Sequence, residues 1–153
     1  MTAVTLKWRP PPRIRVVAVG IPLRGDQILV FKVWADDGTL KGVRPLGGAV
    51  EFTETALVAL RREFREELGC DIEIEGSATV LENLFTHEGA PGHEIVFCYP
   101  ITLLDKTLYE RDRWRIDEGK VTNELEWIDL ARLAAGEIAL FPVGLIEALA
   151  SGK

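Results

Sequence analysis

Residues 48–70 read GAVEFTETALVALRREFREELGC, and this stretch decides how the rest of the chain is interpreted. From Glu54 to Leu68 it contains no glycine or proline, and its large apolar residues recur at helical spacing. Gly69 follows at the place where a glycine commonly ends a helix. We therefore predict a helix from Glu54 to Leu68 that ends at Gly69.

Two kinds of side chain lie on different faces of this predicted helix. The apolar face, which we expect to pack on the core, consists of Leu57, Leu60, Phe64 and Leu68. At about 100° per residue, Glu63, Glu66 and Glu67 share an arc of about 100° beside that face. Three like charges so close together repel one another. They form either a solvated charged face or a set of oxygen ligands for a hard cation such as Mg²⁺ or Mn²⁺.

The segment before the helix gives this stretch a recognisable pattern. Gly47 and Gly48 predict a flexible backbone turn ahead of the helix. The fixed positions that follow are Gly48, Glu54, Arg62-Glu63-Phe64, Glu66-Glu67 and Gly69-Cys70. Together they resemble the Nudix box. The resemblance implies an α/β fold, namely a single-domain α/β/α sandwich with a mixed β-sheet between helices, and hydrolysis of a diphosphate bond.

The same resemblance implies roles for the residues of the box. Glu66 and Glu67 would bind the metal, Glu63 would bind metal or activate water, and the Gly47 carbonyl would add a ligand. Arg62 would hold the catalytic carboxylates by charge-assisted hydrogen bonds. Structural roles fall to Gly48, Glu54 and Gly69, with Glu54 bracing the loop against the helix. The implied cofactor is Mg²⁺, with Mn²⁺ as the alternative.

Candidates outside the box are less sharply defined. A further acid outside the box is expected to act as base or metal ligand. The candidates are Glu82, Glu94, Glu118 and Glu124, and Glu118 is the preferred one. A solvated loop glutamate is the alternative interpretation of Glu118. Arg44, Arg113 and Arg115 are candidate substrate-binding residues for phosphates, although a solvated loop explains the last two equally well.

The remaining elements follow from local patterns. We predict a proline-rich arm over residues 1–13 and the catalytic domain over 14–153. The predicted strands are Ile14–Leu23, Gln27–Trp34, Thr79–Thr86, His93–Leu104 and a short one around Trp127, with a hairpin loop over residues 88–92. The polar segment Glu110–Asn123 is predicted to be a loop. Short helices are expected over Leu130–Ala135, capped by Asp129, and over Val143–Ala150.

Composition excludes several classes of function. The formal net charge of −6 argues against binding a nucleic-acid polymer, which requires a basic surface. No apolar run approaches the roughly 18 residues of a membrane span, so we expect no membrane partner and a cytoplasmic location. Cys70 and Cys98 are expected to be reduced thiols in the core. The sequence does not decide whether the protein is a monomer or a homodimer.

The sequence thus predicts a divalent-metal-dependent pyrophosphohydrolase with a small-molecule diphosphate substrate. Water would attack phosphorus in a nucleoside triphosphate or another nucleoside diphosphate derivative. The main alternative is a non-catalytic Nudix-like domain that binds a nucleotide or a nucleotide sugar. A third hypothesis is an isomerase resembling the isopentenyl diphosphate enzymes.

Overall fold

The computed structural model describes residues 8–118 and 121–151, and the side chains of Glu118 and Val121 lie outside the described part. In chain order the elements are β1 (Ile14–Arg24), β2 (Gln27–Trp34), β3 (Leu40–Arg44), β4 (Leu46–Ala49), α1 (Ala56–Leu68), β5 (Ile72–Ile74), β6 (Thr79–His87), β7 (Ala90–Leu103), a 3-10 helix (Lys106–Glu110), β8 (Arg113–Glu118), β9 (Val121–Asp129), α2 (Leu130–Ala134) and α3 (Leu145–Ala150). Among the helices described, none has the length and apolar character needed to cross a membrane.

The described strands form one mixed sheet whose two halves diverge. Strand β1 runs parallel to β7 and antiparallel to β4, whereas β2 runs antiparallel to β3 and β9. Strands β1 and β2 pair only next to their turn, at Leu23 with Ile28 and Arg24 with Gln27. Beyond that point β4 takes the place beside β1, and β3 takes the place beside β2. The segment that leads into the predicted helix is therefore built into the middle of the sheet.

Helices cover both faces of the sheet, each over its own hydrophobic cluster. Alternate residues of a strand point to opposite faces. Ala18 of β1 packs in the cluster that contains Leu60 and Phe64 of α1. Its neighbours Val17 and Val19 pack in the second cluster, with Leu133 of α2 and Leu145 of α3. This arrangement confirms the predicted single-domain α/β/α sandwich with a mixed sheet.

Several predicted elements are confirmed with shifted ends. The strand pair around the Gly25-Asp26 turn is present. Helix α1 begins at Ala56 and not at Glu54, because Thr55 occupies the N-cap position. The turn between β6 and β7 is two residues long, shorter than the loop predicted over residues 88–92, and β7 accordingly begins at Ala90.

The prediction of a loop over Glu110–Asn123 is wrong. Most of this segment is a hairpin, in which β8 pairs with β9 from Arg113 with Glu126 onward. Trp114 and Ile116 pack against the core cluster under α1, whereas the residues that alternate with them are charged. The high proportion of charged residues concealed a strand that has only one buried face.

The two short helices near the C-terminus are present with small differences. Asp129 stands at the N-cap of α2, but its side chain makes no capping hydrogen bond. Its carboxylate accepts a hydrogen bond from Gln27 Nε2 at 2.9 Å instead. Helix α3 begins at Leu145 and not at Val143, because Gly144 has a left-handed backbone with a φ of 98°.

Besides β8, three further strands were not predicted, namely β3, β4 and β5. Strand β4 is only four residues long and contains Gly47 and Gly48, which are poor strand formers. Its conformation is set by pairing with β1, a contact between distant parts of the chain. Local sequence patterns do not reveal such a strand.

Candidate active site

Helix α1 is fixed at both ends by local hydrogen bonds. The backbone N–H of Val58 donates to Thr55 Oγ1 at 3.2 Å. At the other end Gly69 adopts a left-handed conformation with a φ of 60°, and its N–H donates to the carbonyl of Arg65 at 2.9 Å. These caps satisfy backbone groups that a helix end leaves unpaired. The positions of the acidic residues along the chain therefore translate into defined positions in space.

The buried face of α1 differs slightly from the predicted one. Leu60 and Phe64 are fully buried, and Leu68 packs at the edge of the same cluster. Leu57 is 38% exposed, so its assignment to the core face was wrong, while Ala59 is fully buried. The helix is rotated so that Ala59, and with it Glu63, turns toward the sheet, whereas Glu66 stays exposed.

Glu63 lies against the backbone of strand β4. A β-carbon built on Gly48 would lie 2.5 Å from both the Glu63 carboxyl carbon and its Oε1 atom. The Glu63 side chain is only 17% exposed. Glycine at position 48 thus gives the carboxylate room to approach the backbone, and the same position is a fixed glycine of the box.

Gly47 is required for a different reason. It pairs with Val19 of β1, and its φ is 151°. A β-carbon there would lie 2.0 Å from the backbone oxygen of Ala18. Because that neighbour is backbone within the sheet, it cannot move aside. The Gly47 carbonyl as a metal ligand stays a prediction.

Arg62 links the loop to the helix through most of its hydrogen-bond donors. Its Nε and Nη2 atoms donate to the two carboxylate oxygens of Glu54 at 2.9 and 2.8 Å. Nη1 donates to Glu63 Oε1 at 2.9 Å, and Nη2 also donates to the Ala49 carbonyl at 3.1 Å. Only a planar guanidinium can serve all these acceptors at once. These contacts join the loop before α1 to the helix, and the roles of Glu54 and Arg62 stay predictions.

The electrostatics of this network favour the charged forms. The hydrogen bonds from Arg62, assisted by the Glu51 backbone N–H and by the positive charge, lower the pKa of Glu54 from 4.5 to about 2. The hydrogen bond to Glu54, followed by that to Glu63, raises the pKa of Arg62. Glu54 is thus an anion at physiological pH, and its structural role stays a prediction.

The three acids of the arc differ in how they are held. Glu63 is tied to Arg62, and Glu66 Oε2 lies 3.5 Å from the same Nη1 atom. Glu66 is 60% exposed, and Glu67 is half-buried. Within residues 8–118 and 121–151, no three His, Cys, Asp or Glu side chains are arranged ready to hold a metal. Two acids nevertheless converge on one cationic nitrogen, and their all-oxygen donor set fits a hard divalent cation.

The candidate phosphate contacts have other partners than the acids of this arc. Arg44 is exposed, and its guanidinium carbon lies 5.7 Å from the centroid of the Phe31 ring. Arg113 and Arg115 are about three-quarters exposed on β8, at 3.9 Å from Glu126 and 3.6 Å from Glu124. They alternate with core-packed residues of that strand, so they point to the sheet face opposite α1. The described contacts bring none of these three arginines to the acids.

The acids sought outside the box have varied environments. The side chain of Glu118, the first candidate, lies outside the described residues, and its backbone ends β8. Glu94 pairs with Arg15 at 2.7 Å, and Glu124 lies 3.3 Å from Lys32. Glu82 is 66% exposed beside His93. The role of Glu118 as base or metal ligand therefore stays a prediction. Glu94 is paired with Arg15.

One component of the site was not predicted from the sequence, namely the Ala49 carbonyl that accepts from Arg62. A backbone acceptor has no side-chain signature. Its position depends on the pairing of β4 with β1, which brings Ala49 opposite Val17.

Comparisons with known proteins agree with this architecture. A family model described as the NUDIX domain matches residues 14–149. Among solved structures, the E. coli ORF135 protein is 23% identical with a TM-score of 0.59, covering 91% of this chain and 90% of that one. A NUDIX hydrolase from Nitrosomonas europaea is 16% identical with a TM-score of 0.62, covering 92% and 91%. An ADP-ribose pyrophosphatase from Streptococcus suis is 17% identical with a TM-score of 0.52, covering 83% and 79%. The comparison with curated proteins gave no significant match.

Proposed function

Because the chain belongs to the Nudix family and is a hydrolase of a diphosphate bond, we propose that it is a divalent-metal-dependent pyrophosphohydrolase acting on nucleoside diphosphate derivatives. The observation that carries the proposal is the convergence of Glu63 and Glu66 on one nitrogen of Arg62. Because the carboxylates of Glu63 and Glu66 both lie near the Arg62 guanidinium, they are also close enough together to approach one metal ion. Mg²⁺ is the proposed ion, with Mn²⁺ as the alternative.

The chain's own residues divide the work of the reaction. A divalent cation bound at the site supplies charge neutralisation of the diphosphate and a lower pKa for a water molecule. Glu66 and Glu67 are its proposed ligands, together with the Gly47 carbonyl and Glu118. Glu63 either completes this set or accepts a proton from the attacking water. In both cases Arg62 fixes the orientation of Glu63.

The bond changes balance as an ordinary hydrolysis. The water oxygen forms a new bond to one phosphorus, and the bond from that phosphorus to the bridging oxygen breaks. One proton of the water passes to a carboxylate, and the bridging oxygen leaves with the second phosphate. Two phosphate-bearing products result.

The substrate class is proposed from chemistry and from the relatives. The compared structures include one named as an ADP-ribose pyrophosphatase, whose substrate joins nucleoside and sugar through a diphosphate. We propose a nucleoside triphosphate or a related nucleoside diphosphate derivative. Arg44, Arg113 and Arg115 are the proposed phosphate contacts.

The proposal is tested by the variants Glu66→Gln and Glu67→Gln. Each keeps the side-chain shape but removes a charge, so we expect at least a 100-fold loss of kcat with Mg²⁺ or Mn²⁺ and an unchanged circular dichroism spectrum. The assay covers nucleoside triphosphates, ADP-ribose, dinucleoside polyphosphates and nucleotide sugars. Glu73→Gln, at an exposed glutamate of β5, is the matched control. Full turnover by both α1 variants would overturn the proposal.

A second candidate function is a domain that binds a nucleotide or nucleotide sugar without cutting it. The observation that favours it is the lack, among the described residues, of three acids arranged ready for a metal. It predicts saturable ligand binding and no product with any substrate in the same panel. Metal-dependent product release would eliminate it.

A further inference from the structure

Strand β8 forms one edge of the sheet. Among the strands described it pairs with β9 alone, so the other side of its backbone faces no described strand. Trp114 and Ile116 are half-buried against the core cluster under α1. The residues that alternate with them, Arg113, Arg115 and Asp117, are exposed on the opposite face. An edge of this kind is a place where a further strand can pair.

The backbone hydrogen-bonding groups of β8 alternate between β9 and the open edge. The N–H of Trp127 donates to the carbonyl of Asp112 at 3.1 Å, so these two opposed residues form a hydrogen-bonded pair. Such pairs alternate along an antiparallel ladder with pairs that exchange no hydrogen bonds. The backbone groups of Arg113, Arg115 and Asp117 therefore point to the open edge. In residues 8–118 and 121–151, no turn or loop supplies them with a backbone partner.

A second copy of β8 can pair with this edge in antiparallel orientation. A two-fold axis perpendicular to the sheet keeps each residue on its own face, so opposed residues are an even number of positions apart. An axis at Trp114 places Arg113 opposite Arg115. An axis at Arg115 or at Asp117 places that residue opposite its own copy. Each of these registers opposes like charges, which is destabilising, whereas an axis at Ile116 places Arg115 opposite Asp117.

The register centred on Ile116 combines three kinds of interaction. Arg115 and Asp117 both direct backbone groups outward, so each of the two symmetry-related pairs can exchange backbone hydrogen bonds. The same pairs bring opposite charges together on one face. On the other face the two Ile116 side chains meet at the axis, beside Trp114. The edge is thus complementary to itself in backbone hydrogen bonds, charge and apolar contact.

The contacts within the chain leave both charged groups able to bind a partner. Arg115 is about three-quarters exposed, and its Nη2 atom lies 3.6 Å from Glu124, which is too far for a hydrogen bond. Asp117 accepts a hydrogen bond from Thr122 through Oδ1, and a carboxylate has room for several such bonds. Charges on an edge strand often serve to prevent pairing. That explanation suits charges of one sign, whereas this edge carries both signs on the same face.

We propose that two copies of this chain associate reversibly through their β8 strands, antiparallel and with Ile116 at the two-fold axis, and so join their sheets into one. The partner is therefore a second copy of the chain. This surface lies outside the box, and the inference goes beyond the proposed function without depending on it.

Analytical ultracentrifugation of the full chain tests the proposal. No substrate is added, because Arg115 is also a proposed phosphate contact. The mass should rise from 17.0 kDa toward twice that value as the protein concentration increases. Arg115→Asp and Asp117→Arg each oppose like charges in both pairs, so each should weaken the dimer at least tenfold. The double variant Arg115→Asp/Asp117→Arg should regain the affinity to within about threefold, because it restores opposite charges. Arg13→Asp, at an exposed arginine of the N-terminal arm, is the control and should not change it.

Hydrogen exchange measured by NMR identifies the surface involved. The amides of Arg115 and Asp117 should exchange at least tenfold more slowly in concentrated than in dilute protein, because only the dimer gives them a partner. The amide of Ile116, which points to β9, should change little. Circular dichroism checks that each variant is folded.

Three results would overturn the proposal. They are a mass of 17.0 kDa at every concentration, a dimer in which the Arg115 and Asp117 amides exchange as fast as in the monomer, and a folded double variant that stays monomeric. The second result would assign the dimer to another surface. None of the three bears on diphosphate hydrolysis, and loss of hydrolysis in the Glu66→Gln variant does not bear on the dimer.

Discussion

The carboxylate of Glu63 packs against the backbone of Gly48, so closely that a β-carbon at position 48 would lie 2.5 Å from the carboxyl carbon. The glycine of one strand thus sets the position of an acid on the helix above it. The two residues are 15 positions apart in sequence, yet neither can change without affecting the other.

Gly48→Ala should therefore reduce activity by displacing Glu63. The added methyl group moves the carboxylate and weakens its hydrogen bond to Arg62, and loss of a supporting contact at such sites typically costs about 10- to 100-fold in activity. We expect kcat/KM to fall in that range, with a folded protein by circular dichroism. Gly76→Ala is the control, since a β-carbon there meets only a side-chain atom of Pro100 at 3.2 Å. Equal activity of the two variants would contradict the role of Gly48.

The ion pair between Arg62 and Glu54 should make stability depend on pH in acid. Glu54 has its pKa lowered from 4.5 to about 2, so its contribution is fully present above pH 4.5 and is lost as the pH falls toward 2. The Glu54→Gln variant has no carboxyl group to titrate at this position. In EDTA, the difference in Tm between wild type and Glu54→Gln should stay constant above about pH 5.5 and shrink between about pH 4.5 and 2.

A double-mutant cycle with Arg62→Met isolates the cause. Without the guanidinium, Glu54 loses the hydrogen bonds that lower its pKa. In the Arg62→Met background, the acid-dependent difference in Tm that Glu54→Gln produces should be much smaller. A difference of the same size in both backgrounds would show that another group is responsible.

The features of the site that could be predicted from the sequence are those that depend on residues close together in the chain. The end of α1 at Gly69 follows from a left-handed cap, and the side-by-side placement of the acids follows from helical geometry. Both depend on neighbours in sequence. Through the resemblance, the sequence also predicted that Arg62 holds the catalytic carboxylates and that Glu54 braces the loop, but it did not predict the hydrogen bonds that join Arg62 to Glu54.

Features that depend on distant pairing could not be predicted in the same way. Asn83 is buried only because β6 pairs with β7, which places Asn83 opposite Glu94. Strand β8 alternates apolar and charged residues, but its pairing with β9 was concealed by the number of its charges. In both cases the partner strand determines which side chains are buried, and the sequence of one segment alone does not identify its partner strand.

The corrected packing of α1 gives a stability test. Leu60 is fully buried whereas Leu57 is 38% exposed, although both were predicted on one apolar face. Leu60→Ala leaves a cavity in the core and should lower the free energy of unfolding by about 2–5 kcal/mol. Leu57→Ala should lower it by less than about 1 kcal/mol. Urea denaturation of both variants measures the difference, and similar losses would place Leu57 in the core after all.

The two thiols should be almost unreactive in the folded protein. Both Cys70 and Cys98 are free and buried, and burial raises the pKa of Cys98 to about 12. The thiolate is the reactive form, so at pH 8 only about one Cys98 side chain in ten thousand is ionised. Ellman's reagent should react at least 100-fold more slowly with native protein than with protein in guanidinium chloride, where two thiols per chain appear. Cys70→Ser leaves Cys98 as the only thiol and allows its rate to be measured alone. If that thiol reacts rapidly in the native state, β7 opens readily around Cys98, and the cluster it shares with Val19 is less tightly packed than its burial indicates.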